Sequence, residues 1–244
     1  MTRHTTRPTR LAAALLVAAL LAFASAQEID PRARELLEGL GGGEQISTLD
    51  TTMITTTYMG DETFTTSTRL VVDYDNERLA AVMDMMGMQT TVRIVDGNVT
   101  MVLMGMTMPA PPGTADQFED MFEQDPSRSL VDAAERATFD GAVDYGGLLV
   151  GDQVTYVGDA TVMNAPEAPE IRYVFGASGE LLGSHIPADE GEMLMVFDEP
   201  VTDFSMPFTD MRLYMLTDGA WQLFSEVAYQ DVVIDGPIDE GLFQ

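Results

Sequence analysis

Apolar positions along the chain follow two different periods. Behind Asp30-Pro31, residues Ala33, Leu36, Leu37 and Leu40 recur at i, i+3, i+4 and i+7, which predicts one short amphipathic helix. Asp30 can cap it, Pro31 suits its first position, and Gly39 with the run Gly41-Gly42-Gly43 ends it. From Leu49 to Met108 the period shortens to that of strands, expected at 51–59, 63–72, 78–85, 88–95 and 98–106. Gly60-Asp61, the run Asp73-Tyr74-Asp75-Asn76, Met86-Gly87 and Asp96-Gly97 separate them. Successive strands joined by turns this tight form an antiparallel meander.

Pro109-Ala110-Pro111-Pro112-Gly113 breaks the meander. Two helical pieces are expected next. One follows the capping box Thr114 to Gln117 and carries Phe118, Met121 and Phe122; the other starts at Asp125-Pro126 and carries Leu130, Val131 and Ala134. Gly141 and Gly146-Gly147 are read as closing this insert. Strands resume at 153–163, 171–175, 180–186, 193–197, 211–216, 221–229 and 232–234. Ser178-Gly179 and Asp218-Gly219 mark hairpins whose glycines need a positive φ. No shift in composition splits the chain, so residues 27–244 read as one α+β domain, mainly antiparallel β.

A strand with one wet face alternates apolar and polar residues. The stretches 99–106, 193–197 and 211–216 are apolar on both faces, so the sheet calls for two covers, or one cover and an apolar ligand. Eight of the 18 methionines lie between residues 83 and 108. Methionine fits irregular apolar partners, so this bias is read either as an ordinary core or as a ligand surface. Thioether capture of Cu(I) is a third use, but copper-binding methionines favour polar loops with histidine nearby, and these lie in apolar strands.

The N-terminus changes where the protein is expected to work. Arg3, Arg7 and Arg10 precede an apolar run of 14 residues, Leu11 to Ala24, and Ala24-Ser25-Ala26 offers a leader-peptidase site. A helix of that length reaches about 21 Å, short of the roughly 30 Å hydrocarbon layer. Residues 1–26 are therefore expected to be a cleaved Sec signal, with the mature protein periplasmic or secreted. Beyond them nine arginines, and no lysine, face 40 acids. A surface of that sign repels phosphate backbones, which sets nucleic acid aside as a partner.

Chemistry is scarce. With no cysteine there are no disulfides, thiol nucleophiles or thiolate metal sites. His185 is the single histidine of the mature chain, and neither a G-x-S-x-G nor an H-x-x-x-H occurs. The run from Asp73 to Glu77 resembles the start of a calcium loop but lacks its glycine and distal glutamate, so it reads as a turn. Carboxylates are too many for spacing to nominate a catalytic pair. No cofactor and no catalytic residue are expected.

The order of parts resembles the LolA/LolB-like lipoprotein carriers. Local matches are Arg93 to Val99 with the strand after it, and the closing Pro237-Ile238-Asp239-Glu240-Gly241-Leu242-Phe243. The resemblance implies an unclosed half-barrel of about eleven antiparallel strands, with short helices covering a concave face that holds acyl chains. Two features depart from the family. The arginine-proline at the turn into the third strand is replaced by Asn76-Glu77-Arg78, and the aromatics after the Asp-Gly hairpin by Met101 and Met104. Residues expected to line the cavity are Met83, Met85, Met101, Leu103, Met104, Met106, Phe118, Phe122, Met195, Trp221 and Leu223. The function expected is carriage of a lipid or lipoprotein by its acyl chains, with envelope membrane proteins loading or unloading it. The rivals are an exported structural or adhesion β protein without ligand, and an extracellular hydrolase.

Overall fold

The computed structural model describes residues 29–40, 46–85, 87–103, 105–109, 134, 136–157, 170–187, 191–203 and 209–244. The expected export segment, Met104 and the insert bearing Phe118 and Phe122 lie outside these. No helix among the described residues is long and apolar enough to cross a membrane.

Helix α1 spans Pro31–Leu40 as its spacing predicts, burying Ala33, Leu36, Leu37 and Leu40. Asp30 Oδ1 accepts from the amides of Arg32 (2.9 Å) and Ala33 (3.2 Å), a cap of the kind that contributes about 1 kcal/mol. The other oxygen, Oδ2, accepts from the Phe139 amide at 3.1 Å and so ties the helix to the sheet. The Phe139 amide leads the effects that hold this carboxyl below its ordinary value; burial opposes it, and the two capping amides add to the lowering.

Thirteen strands form one sheet. They are β1 Thr48–Met59, β2 Glu62–Asp73, β3 Arg78–Met85, β4 Met88–Val95, β5 Asn98–Leu103, β6 Met106–Pro109, β7 Ala137–Asp144, β8 Val150–Val157, β9 Glu170–Phe175, β10 Leu181–Ile186, β11 Met193–Val201, β12 Met211–Thr217 and β13 Ala220–Ile234. The order across the sheet is β6-β5-β4-β3-β2-β1-β13-β12-β11-β10-β9-β8-β7, antiparallel throughout and unclosed, because its ends β6 and β7 do not pair. Asp96-Gly97 and Asp218-Gly219 take positive φ at both residues, the hairpin geometry their composition predicts, and Gly179 takes φ 88°.

Three expectations are corrected. The strand read as 98–106 is two, β5 and β6, because Gly105 (φ 78°) turns the chain between them. Gly141 does not close an insert; it sits inside β7 at φ 90°, where the register shifts, so one glycine accommodates a bulge. The segments read as 221–229 and 232–234 are one strand, β13, carried past an irregularity near Asp231 (φ 52°). Both edges are blunted: β6 ends in Pro109, which has no N–H to offer, and β7 carries the Gly141 bulge and the exposed acids Asp140 and Asp144.

Residues directly opposite in an antiparallel pair point to the same side, so the register divides the sheet into two faces. Helix α1 packs on one of them, against Ala137, Val154, Phe175, Leu181 and Val201. At one end of the opposite face, Ile238, Leu242 and Phe243 cover Val71, Ala80 and Val95. Arg78 fastens this closing segment: its guanidinium lies 4.6 Å from the Phe243 ring centre, reaches Glu240 at 2.8 Å, and pairs with Asp73. Burial alone would raise the Asp73 carboxyl, but hydrogen bonds from Arg78 and from the Asn76 side chain and amide outweigh it and hold the pKa low.

At the other end of the opposite face His185 is 1% exposed, its ring tilted against Tyr145 and edge-on to Trp221. The Tyr145 hydroxyl donates to Gln153 Oε1 (2.5 Å), and Gln153 Nε2 donates to Asp140 (2.8 Å). With that hydroxyl proton committed, His185 Nδ1 faces Arg172 Nη1 at 3.4 Å as an acceptor, while Nε2–H donates to Glu192 at 2.9 Å. The ring is thus neutral. Burial lowers its pKa below 6.5, Arg172 reinforces this, and Glu192 opposes it.

Two consequences are measurable. A Cβ on Gly183 would lie 2.2 Å from the Met195 carbonyl oxygen, so Gly183→Ala should cost about 3 kcal/mol, read as a lower urea midpoint. Unfolded His185 binds its proton more readily than folded His185. Stability should therefore fall as pH drops through about 6.5, with the loss complete below the folded pKa. Urea midpoints at pH 7.5 and 5.5 should diverge more in the wild type than in His185→Gln.

Candidate functional site

Following the register from strand to strand shows how the methionines are distributed. Leu49 stands opposite Val72, Val72 opposite Leu79, Leu79 opposite Ile94, and Ile94 opposite Val99, so the side they share holds every second residue of β1 to β5. It includes Met53, Met59, Met83, Met85, Met88 and Met101, and β6 adds Met106 and Met108. Thr55 pairs with Val227 and Val227 with Met211, which carries the same side across β13 to β12. Met211, Met215, Met193 and Met195 then lie on it as well. All twelve methionines among the described residues therefore stand on one face, the one on which α1 packs.

Charge is sorted the other way. Over β1 to β6, β12 and residues 193–197 of β11, no charged side chain stands on the methionine face except Glu62, the first residue of β2. The pairs Arg69–Asp50, Arg78–Asp73 and Arg212–Asp198 all belong to the opposite face. Among the methionines of this face stand Thr55, Thr57, Thr66, Thr68 and Thr90 of β1, β2 and β4, polar but uncharged, so it is not uniformly oily.

Exposure is graded along the strands. The row Leu49, Val72, Leu79 and Ile94 is buried. Met53, Met83 and Met101 are half-buried further along. At the hairpin tips Met59 is 60%, Met88 51% and Met106 61% exposed, beside Phe64. One end of the stripe is shut and the other is open.

Of the residues expected from sequence, Met83, Met85, Met101, Leu103 and Met106 come together on β3, β5 and β6, although only the backbone of Met85 is described. Met195 shares their face from β11. Trp221 and Leu223 stand on the opposite face, paired with Leu216 and Tyr214, and Trp221 packs against Tyr145. The reason is local. Ser225 pairs with Leu213 and Leu223 with Tyr214, so Phe224 is an extra residue that reverses the alternation of β13 beyond it. Sequence reasoning passed over Met53, Phe64, Met88, Met108, Met193, Met211 and Met215 as site residues; the Met-x-Met spacing at 193–195 and 106–108 was the available signal.

Other chemistry is sparse on this face. Ser184 and His185 are adjacent in β10 and so point to opposite sides, which separates any nucleophile from its base. Among the described residues no three His, Asp or Glu side chains group to hold a metal ion. Tyr173, on the helix-bearing side, has its pKa pushed up to about 12 by burial and stays neutral. A groove of about 740 Å³ runs between α1 and the 176–180 turn, but Arg32, Glu35 and Glu180 on its walls suit water better than hydrocarbon.

No protein-family model matches the sequence, and no curated protein sequence matches it. Solved structures do. A DUF1329 family protein from Desulfovibrio piger aligns over 88% of this chain and 98% of its own, with a TM-score of 0.55 and 11% identity. The Mycobacterium tuberculosis lipoprotein LppX covers 86% of this chain and 98% of its own (TM-score 0.40, 11% identity). A LolA superfamily protein from Nitrosomonas europaea covers 87% and 96% (TM-score 0.40, 12% identity). At such identities the likeness is one of fold, and it rests on the DUF1329 family protein; the chain itself is an unclosed antiparallel sheet with one packed helix among its described residues.

Proposed function

We propose that the methionine face is a binding surface for the acyl chains of a lipid or lipoprotein, and that the protein is a carrier. The observation that carries this is the placement of all twelve described methionines on one side of the sheet, where Glu62 is the single charged residue over β1 to β6, β12 and residues 193–197. A packed core would ask only for apolar bulk; thioethers adapt to irregular and mobile chains. Shelter for a 16-carbon chain is worth on the order of 13 kcal/mol, at about 0.8 kcal/mol per methylene, and an extended surface clear of charge is what can supply it. The names of two structural neighbours, a lipoprotein and a LolA superfamily protein, agree with this reading.

In this reading residues 1–26 direct export, residues 27–244 act in the periplasm or outside the cell, and membrane proteins of the envelope load and unload the carrier. The groups that hold the chain are Met83, Met101, Leu103 and Met106 from the first meander, with Met195 across the sheet. No covalent step is required.

Organic extraction of the purified mature chain followed by mass spectrometry should release bound lipid. Met83→Asp and Met101→Asp should each weaken binding of a fluorescent long-chain fatty acid by about tenfold or more, since a carboxylate would then face hydrocarbon. Thr91→Asp, on the opposite face, should leave it unchanged. Equal binding by all three variants would refute the assignment of this face.

A further inference from the structure

The open end of the stripe has a chemistry that binding alone does not use. We propose that Met59, Met88 and Met106 are sites of reversible S-oxidation, and that their sulfoxides weaken acyl-chain binding to the face they border. The inference rests on the carrier reading and adds a modification to the same site.

Three observations support it. These three are the most exposed methionines whose side chains are described, at 60%, 51% and 61%, whereas Met53, Met83 and Met101 on the same face are half-buried. They come from three different strands, β1, β4 and β6, at the tips of successive hairpins, so all three are presented at the same end of the sheet. The chain contains no cysteine, so no thiolate of its own intercepts the oxidant first.

The step balances with a peroxide as co-reactant. The thioether sulfur attacks one peroxide oxygen and the O–O bond breaks. That oxygen stays on sulfur and the other leaves as water, so the sulfur loses two electrons and the peroxide gains them. A dithiol reductase reverses it, returning the oxygen as water and leaving a disulfide on the reductase. The product side chain is polar and chiral where it had been apolar and pliable. Placed at the open end of a face whose one charged group there is Glu62, each sulfoxide oxygen must either keep its water or lose a hydrogen bond when a chain docks.

The test uses the purified mature chain, graded hydrogen peroxide and peptide mass spectrometry, with binding of a fluorescent long-chain fatty acid measured on the same samples. Met59, Met88 and Met106 should oxidise before Met53 and Met195, and binding should fall about tenfold as they do. Treatment with both methionine sulfoxide reductases and dithiothreitol should restore it. The triple variant Met59→Leu, Met88→Leu, Met106→Leu, compared with its own untreated sample, should keep its probe binding at the peroxide dose that costs the wild type about tenfold. Oxidation without preference for these three, or binding that survives their conversion, overturns the proposal and leaves the carrier reading standing. Failure of the untreated wild type to bind any long-chain probe overturns both.

Discussion

Strand register is the constraint on which the rest of this molecule depends. Each of the thirteen strands is hydrogen-bonded to its neighbours along an antiparallel ladder, and a slip of one residue would move a whole strand's side chains to the other side of the sheet. The sorting of thioethers to one side and ion pairs to the other is therefore a property of the ladder as a whole. Asp96-Gly97 and Asp218-Gly219 help to hold it in place through paired positive-φ turns, and bulges in β7, β10 and β13 reset it where it would otherwise run out of phase.

Energetically the two faces answer different needs. The opposite face is covered by the chain itself at both ends: the Pro237–Phe243 segment is pinned through Arg78 to Asp73 and Glu240, and the His185 network fills the other end. The methionine face is closed by the described chain only where α1 sits and along the Leu49–Val72–Leu79–Ile94 row. An acidic, lysine-free composition fits this division, since Arg69, Arg78 and Arg212 pair acids on the face away from the methionines.

Much of this was legible beforehand. The helix was readable because Ala33, Leu36, Leu37 and Leu40 repeat at the helical period behind a capping aspartate, and the first four strands because tight turns separate them. The site was half-legible. Residues 83, 101, 103 and 106 share a face because plain alternation holds through the first meander, where the ladder from β1 to β6 shows no shift. Trp221 and Leu223 escaped because a single extra residue, Phe224, inverts parity, and nothing in the local composition marks it. Gly141 misled for a related reason: a glycine that bends a strand and one that ends a helix look the same in one dimension.

The blunted rims of the sheet bear on how such a protein survives in a crowded compartment. A ribbon of thirteen strands with two free borders could in principle recruit copies of itself without limit, as fibrils do. Proline at one border and a kinked, acid-bearing strand at the other deny a newcomer the straight row of donors and acceptors it would need. The molecule can thus carry a thioether-rich face while refusing to grow at its margins.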